Sequence, residues 1–339
     1  GQLGLEDTNH RGNNGGEMGD NLPFVDFGTS ETASTLSMSE RTTCVITSSN
    51  ELKCWGDNTY GQLGIGSTAR IGNNLGEMGN SLVAVDLGTG RTPTMVASSI
   101  NSTCALLDNN SVKCWGLDES GSLGSQNLAY GDQSGETVAA LSSIDLGTGQ
   151  YAKDITAGRF HVCATLMDNS LKCFGYGNQG RLGLGDTNNR GDQVNELGDN
   201  LPAVELGSGL YPISVAAWES GTCAVLNNSQ VKCWGDCANG RCGVGNQTDR
   251  GDGANEMGEN LAVTPGVTAK KIEKGNAFTC VIDTNDKVKC WGYNAGGRLG
   301  IGNTSQKGHS GSTLPSSYGN TELSSSLSVS DIQLGHEHG

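Results

Sequence analysis

The sequence predicts an all-β protein, a β-propeller of six four-stranded repeat units, five complete and the sixth lacking its last two strands. Three observations predict it: a glycine tetrapeptide returning about every 60 residues, a cysteine returning with it, and a glycine-rich, aromatic-poor composition. The tetrapeptide G-x-L-G stands at Gly1, Gly61, Gly121, Gly180 and Gly297, with Gly240-Arg241-Cys242-Gly243 as a sixth copy. The motif C-W-G follows at Cys54, Cys114, Cys233 and Cys290, with Cys173-Phe174-Gly175 as a variant. Successive spacings of that cysteine are 60, 59, 60 and 57, so insertions are few.

Composition agrees. The 339 residues include 53 glycines, with 35% hydrophobic and only 5% aromatic. Many short strands joined by tight turns suit such a chain, and long helices do not. The core then rests on Val, Leu, Ile and Ala. The net charge of −15 repels nucleic-acid phosphates and anionic lipid, so no nucleic-acid partner is expected. No apolar run approaches the roughly 18 residues that span a bilayer.

The whole of 1–339 reads as a single propeller, with units at 1–56, 57–116, 117–175, 176–235, 236–292 and 293–339, the last partial. In the unit 176–235, a glycine-rich turn (Gly180 to Gly185) leads into a polar loop, Asp186 to Asn200. Four candidate strands follow: Leu201–Leu206, Ile213–Ala217, Thr222–Leu226 and Val231–Trp234. A β-helix would need shorter coils, and a sandwich would not repeat one sequence.

Segments such as His161-Val162-Cys163-Ala164-Thr165-Leu166 and Trp55-Gly56-Asp57-Asn58-Thr59-Tyr60-Gly61-Gln62-Leu63-Gly64 resemble the regulator of chromosome condensation repeat. The resemblance covers nearly the whole chain and implies the propeller fold. It does not imply the founding member's nucleotide-exchange activity, because one fold hosts many functions.

Ten of the twelve cysteines form five pairs ten positions apart: Cys44/Cys54, Cys104/Cys114, Cys163/Cys173, Cys223/Cys233 and Cys280/Cys290. Between each pair lies a strand, a polar tip and a returning strand, which sets the two thiols opposite each other. The last pair, Cys237/Cys242, lies within one glycine-rich turn. Thiolates for zinc cluster as C-x₂₋₄-C, whereas these are dispersed, so six disulfides are expected. Disulfides in that number predict secretion or a cell-surface location. Sequons at Asn101, Asn109, Asn227, Asn246 and Asn303 predict N-linked glycans if the source is eukaryotic.

Other motifs have duller accounts. Arg190-Gly191-Asp192 and Arg250-Gly251-Asp252 spell an integrin-binding tripeptide, but Arg11-Gly12-Asn13 and Tyr130-Gly131-Asp132 hold the same places, which marks a structural turn. The polar loop carries Asp186, Asp192, Glu196 and Asp199. These are candidate calcium ligands, and calcium is the one cofactor considered; the competing reading is that they cap their own turns and pair with Arg190. His336-Glu337-His338 looks like a metal triplet, yet alignment with Arg159-Phe160-His161 makes His338 an ordinary strand-start histidine. The five histidines are scattered and no catalytic constellation recurs, so no enzyme activity is expected.

The chain opens just after the place where a C-W-G strand would finish and closes one residue before a repeat's first cysteine. Three explanations stand open: a trimmed portion of a longer polypeptide, a ring closed by another molecule's hairpin, or a tolerated open ring. The leading functional expectation is a non-enzymatic extracellular scaffold or subunit of an assembly or fibril, self-associating through the open edge of the sixth unit. The alternative is a secreted protein- or glycan-binding module. An intracellular exchange factor or chromatin binder comes third.

Overall fold

The computed structural model describes residues 1–124, 129–133, 135–321, 323 and 328–335. It is all-β, with five antiparallel sheets that are the blades of a β-propeller. They comprise β1 (Ala33–Met38), β2 (Thr42–Thr47) and β3 (Leu52–Gly56); β4 (Pro93–Ser98), β5 (Ser102–Leu107), β6 (Val112–Leu117) and β7 (Ala129–Tyr130); β8 (Ala152–Ala157), β9 (His161–Leu166) and β10 (Leu171–Gly175); β11 (Pro212–Trp218), β12 (Gly221–Leu226) and β13 (Val231–Gly235); and β14 (Ala269–Lys274), β15 (Phe278–Asp283) and β16 (Val288–Gly292). Two compact units divide them. One holds residues 1–118 and 127–144, the other residues 119–126 and 145–339.

Each sheet is built on a meander of three strands, extended by β7 in the second, whose register the sequence dictates. The hairpin turns place Asn50, Asn110, Asn169, Ser229 and Asp286 at φ of 62° to 72°, a conformation polar turn residues tolerate. The paired cysteines fall directly opposite one another, as Cys44 against Cys54 and Cys223 against Cys233. Each first strand has a bulge after its opening residue, between Ala33 and Thr35 and at the four equivalent places. The glycine of C-W-G is obligatory: a Cβ on Gly56 would lie 2.3 Å from the Arg41 carbonyl oxygen, and Gly116, Gly175, Gly235 and Gly292 meet the same obstacle at 2.4–2.5 Å.

The fourth strand differs from expectation. Residues 201–206 carry no ladder. Val204 alone donates its N–H to Leu171 O at 2.7 Å, so the segment edges the sheet of the preceding hairpin. Val85, Ile144, Thr264 and Thr321 make the same single bond to Leu52, Val112, Val231 and Val288. Two features stop the ladder: Pro202 has no N–H, and the carbonyl of Leu206 is taken by the ammonium of Lys232. A second fragment of outer edge comes from the polar loop, where Ile71, Arg190, Arg250 and Lys307 each pair with the glycine of C-W-G. In the second sheet this fragment lengthens into β7.

The two strands expected in the sixth unit are also absent: none of its described residues is in a strand. Residues 328–335 carry no ladder. Val329 donates to Asp286 O, and Val329, Ile332 and Leu334 pack on the cluster around Cys280, Cys290 and Leu299. The described residues offer no hairpin to which this segment could ladder.

Candidate functional site

Twelve cysteines make six disulfides, pairing Cys44–Cys54, Cys104–Cys114, Cys163–Cys173, Cys223–Cys233, Cys237–Cys242 and Cys280–Cys290. In the five hairpin bridges the Cα atoms are 4.0–4.1 Å apart, the close approach of a cross-strand pair without backbone hydrogen bonds. All twelve cysteines are buried.

The sixth bridge replaces a hydrogen bond. In the second repeat Asn58 accepts from the Leu63 N–H at 2.9 Å and donates to Ser67 O and Ala69 O, holding the G-x-L-G turn to its loop. Asn294 does the same for Leu299. In the fifth repeat those two positions are Cys237 and Cys242, joined covalently. The variant Cys237→Asn/Cys242→Leu is therefore expected to fold and to lose only about 1 kcal/mol. The roughly 2 kcal/mol of a five-residue loop closure is partly offset by the asparagine bonds and leucine burial. Denaturant melts check this; a loss equal to that of Cys237→Ala/Cys242→Ala would refute the equivalence.

The side chains that sequence reading overlooked are the lysine, tryptophan and threonine of the hairpin. Trp234 Nε1 and Thr222 Oγ1 both donate to Arg181 O, at 3.1 and 3.0 Å. Trp55 and Thr43 do so to Gln2 O, Trp115 and Thr103 to Gln62 O, and Trp291 and Thr279 to Arg241 O. The third hairpin has Phe174 and Val162 in these places, so both donors change together. The lysine of each hairpin is buried or nearly so and donates to loop carbonyls: Lys172 to Leu146 O and Gly198 O, Lys232 to Leu206 O and Gly258 O, Lys289 to Pro315 O and Tyr318 O.

The acidic loop serves its own backbone. Glu17, Glu77, Glu196 and Glu256 each accept two or three backbone N–H bonds from the turn five to three residues earlier, at 2.9–3.2 Å. Burial would raise the Glu77 carboxyl, but the bonds from Asn74, Asn73 and Gly72 outweigh it and hold it below the ordinary range. Of the candidate calcium ligands, Asp186 pairs with Arg190 at 2.7 Å and Asp192 accepts from Asn189. Glu196 accepts from Gly191 and Gln193, and Asp199 accepts from the N–H and hydroxyl of Thr148. The four carboxylates thus face four separate tasks. Among the described residues no three His, Cys, Asp or Glu side chains converge to hold a metal. Arg190 is turned back onto its loop, and a Cβ on Gly121 would meet Asp192 N at 2.5 Å, so the tripeptide is a packed turn. His336 and His338 lie outside the described residues.

Four sequon asparagines, Asn109, Asn227, Asn246 and Asn303, are exposed, whereas Asn101 is half-buried with its Oδ1 enclosed. Peptide mapping of protein made in a eukaryotic secretory line should find glycan on the exposed four and least on Asn101. Fullest occupancy at Asn101 would contradict this exposure argument.

Charges that break the pattern lie in the second unit, on strands β8, β9 and β14 and at Asp331. Asp154 is pushed up to about 6 and Glu273 to about 7, burial being the chief cause in each. Lys271 stands 3.8 Å from Glu273 and also pairs with Asp331. Lys274 is fully enclosed, its Nζ has no hydrogen-bond partner, and burial lowers it to about 7. His161 is driven well below its ordinary value by burial, then by Arg181 and Lys274. Its Nε2 lies 2.9 Å from Thr222 Oγ1, whose own hydrogen goes to Arg181 O, so Nε2–H is the donor and the imidazole is neutral.

A family model for the regulator of chromosome condensation (RCC1) repeat matches residues 34–62. The ultraviolet-B receptor UVR8 of Arabidopsis thaliana is 24% identical over 261 residues, 76% of this chain and 52% of the receptor. The human E3 ubiquitin-protein ligase HERC2 is 25% identical over 276 residues, 78% of this chain and 5% of the ligase. The chain thus spans about half the length of the first relative and a small part of the second. Human WBSCR16 superposes with a TM-score of 0.63 at 17% identity, over 84% of this chain and 67% of that one. Prp20p from Saccharomyces cerevisiae, whose structure is described together with its binding to Gsp1p and histones, gives 0.61 at 16%, over 81% and 61%. At such identities the structural likeness carries the fold alone.

Proposed function

We propose that this chain, a β-propeller of regulator of chromosome condensation-like repeats crossed by disulfides, is a non-catalytic scaffold subunit of an extracellular assembly. The observation that carries the reading is that all twelve cysteines are buried in six bridges. A chain so bridged matures in an oxidising compartment. The recurrent Lys, Glu, Trp and Thr side chains bond the repeat's own backbone, which suits a rigid support better than a reaction centre. Among the described residues no helix is long and apolar enough to cross a membrane.

Size analysis and negative staining of native material, beside a free-thiol count, test this reading. Ordered assemblies with no titratable thiol are the expected result. A strictly monomeric protein, or one with reduced cysteines, would overturn it. A second reading, a secreted module that binds one protein partner, draws on the protein-binding description of Prp20p. Recovery of a single stoichiometric partner by monomeric protein would favour it.

A further inference from the structure

The fourth sheet reverses the rule of its neighbours where its first strand turns into its second. In the third and fifth sheets an aromatic ring at the start of the second strand lies over a glycine just past the first. A Cβ on Gly158 would meet the His161 ring at 2.2 Å, and one on Gly275 would meet the Phe278 ring at 2.2 Å. The fourth sheet has Trp218 in the glycine's place and Gly221 in the ring's, paired across the two strands. Glu219, in the turn between them, takes a φ of 37°, a left-handed value that a non-glycine residue adopts at a cost.

Lys274 of β14 reaches into the space over Gly221, from a position where β8 and β11 carry Ala157 and Ala217. A Cβ on Gly221 would stand 3.0 Å from Lys274 Nζ. The ammonium is enclosed there and has no hydrogen-bond partner. Cross-strand partners share a face of their sheet, so the Trp218 indole stands on the face that Gly221 leaves bare. Its Nε1 is also enclosed and unpartnered. Two buried groups that can only donate thus flank one glycine, each at the cost of an unmade bond. The nearby carboxylates are engaged elsewhere: Asp236 with Arg241 at 3.2 Å and the Ala238 N–H at 2.8 Å, Glu219 with Arg159 at 3.0 Å. Arg181 spends its guanidinium on Asn178 O, Glu219 O and Gln179 Oε1, and the His161 imidazole is neutral. A water could accept from both donors but would leave the enclosed positive charge unbalanced; an anion answers both needs.

We propose that Lys274 Nζ and Trp218 Nε1 bind a small, acceptor-only anion, a halide of chloride or bromide size, where β14 meets the β11–β12 turn. The enclosure of both nitrogens sets the size, because a bulkier oxyanion or organic acid would have to part the strands. The charge on Lys274 sets the sign, and the indole N–H adds direction. The inference does not depend on the extracellular-assembly reading. It gives a reason for the exchange of ring and glycine in the fourth sheet, which removes the side chain that would otherwise fill the site.

The probe is sodium chloride or bromide, exchanged for sodium gluconate at constant ionic strength so that screening is fixed, in melts of the full native chain at pH 6. Burial lowers Lys274 to about 7, so the amine is charged at this pH. The melting temperature should rise saturably with halide, by about 2–4 °C. Trp218→Phe keeps a ring and loses the N–H, and should need about tenfold more halide for half the rise. Lys274→Met should show no saturable rise. In halide-free buffer the ammonium is uncompensated, so Lys274→Met should melt above the native chain, and added halide should narrow that gap. Crystals soaked in bromide should show anomalous density within hydrogen-bond distance of both nitrogens. A melt indifferent to halide, a rise that Lys274→Met retains, or density for a water alone between the two nitrogens would overturn the proposal.

Discussion

Lys232→Met is expected to lower stability by about 3–5 kcal/mol, because the lysine is a buried clamp rather than a solvated charge. Lys232 is 3% exposed, and its ammonium donates to Leu206 O and Gly258 O at 2.8 Å each. Hydrogen bonds to a charged group are worth roughly 1.5–3 kcal/mol each, and methionine leaves both carbonyls desolvated with nothing to bond. Burial lowers the lysine from its ordinary value, with Glu259 opposing, so the clamp works against a desolvation cost. The denaturant midpoint measures the loss. Lys153→Met, at an exposed position of β8, is the control and should change little. Equal effects of the two variants would show that the bonds to Leu206 and Gly258 contribute nothing.

The same lysine marks the limit of reading this fold from its sequence. The cysteines were legible because five identical spacings constrain geometry, and a ten-residue interval in a hairpin sets Cys223 opposite Cys233. Strands Pro212–Trp218, Gly221–Leu226 and Val231–Gly235 were legible to within one or two residues for the same reason. The lysine between Val231 and Cys233 reads by default as a residue of the wet face. Only the three-dimensional approach of Leu206, 26 residues before it, and Gly258, 26 residues after it, supplies its carbonyl partners. The segment Leu201–Leu206 misleads in the opposite sense: it alternates like a strand, yet its carbonyl at Leu206 bonds an ammonium instead of a ladder N–H. The acidic loop left two readings open, and its side chains prove to be occupied with Arg190, Asn189, Thr148 and the turn backbone.

Lys274→Met, at the other extreme, is expected to stabilise the protein on the order of 4 kcal/mol at pH 6 and hardly at all above pH 10. Lys274 is as buried as Lys232, but its ammonium has no hydrogen-bond partner. Burial lowers it to about 7, with Arg241 adding to the fall and Asp236 opposing it. A depressed lysine contributes stability that is present above its ordinary value of 10.5 and lost as pH falls to about 7; methionine removes that loss. The preceding residue has the opposite sign. Glu273, raised to about 7 by burial, favours the fold below its ordinary 4.5 and costs stability as pH rises toward 7. Asp331 and Asp154 add to that rise and Lys271 opposes it. Together the two residues place a local stability minimum near pH 7 in the native chain. Thermal melts of wild type, Lys274→Met and Glu273→Gln from pH 5 to 10 resolve the two arms: the lysine variant should remove the alkaline rise and the glutamate variant the acidic one. An equal gain from Lys274→Met at pH 6 and pH 10 would mean that the enclosed ammonium is compensated after all. A chain that keeps an uncompensated lysine beside five well-clamped ones departs from the rule its own repeats follow, and such departures concentrate where structure serves something other than stability.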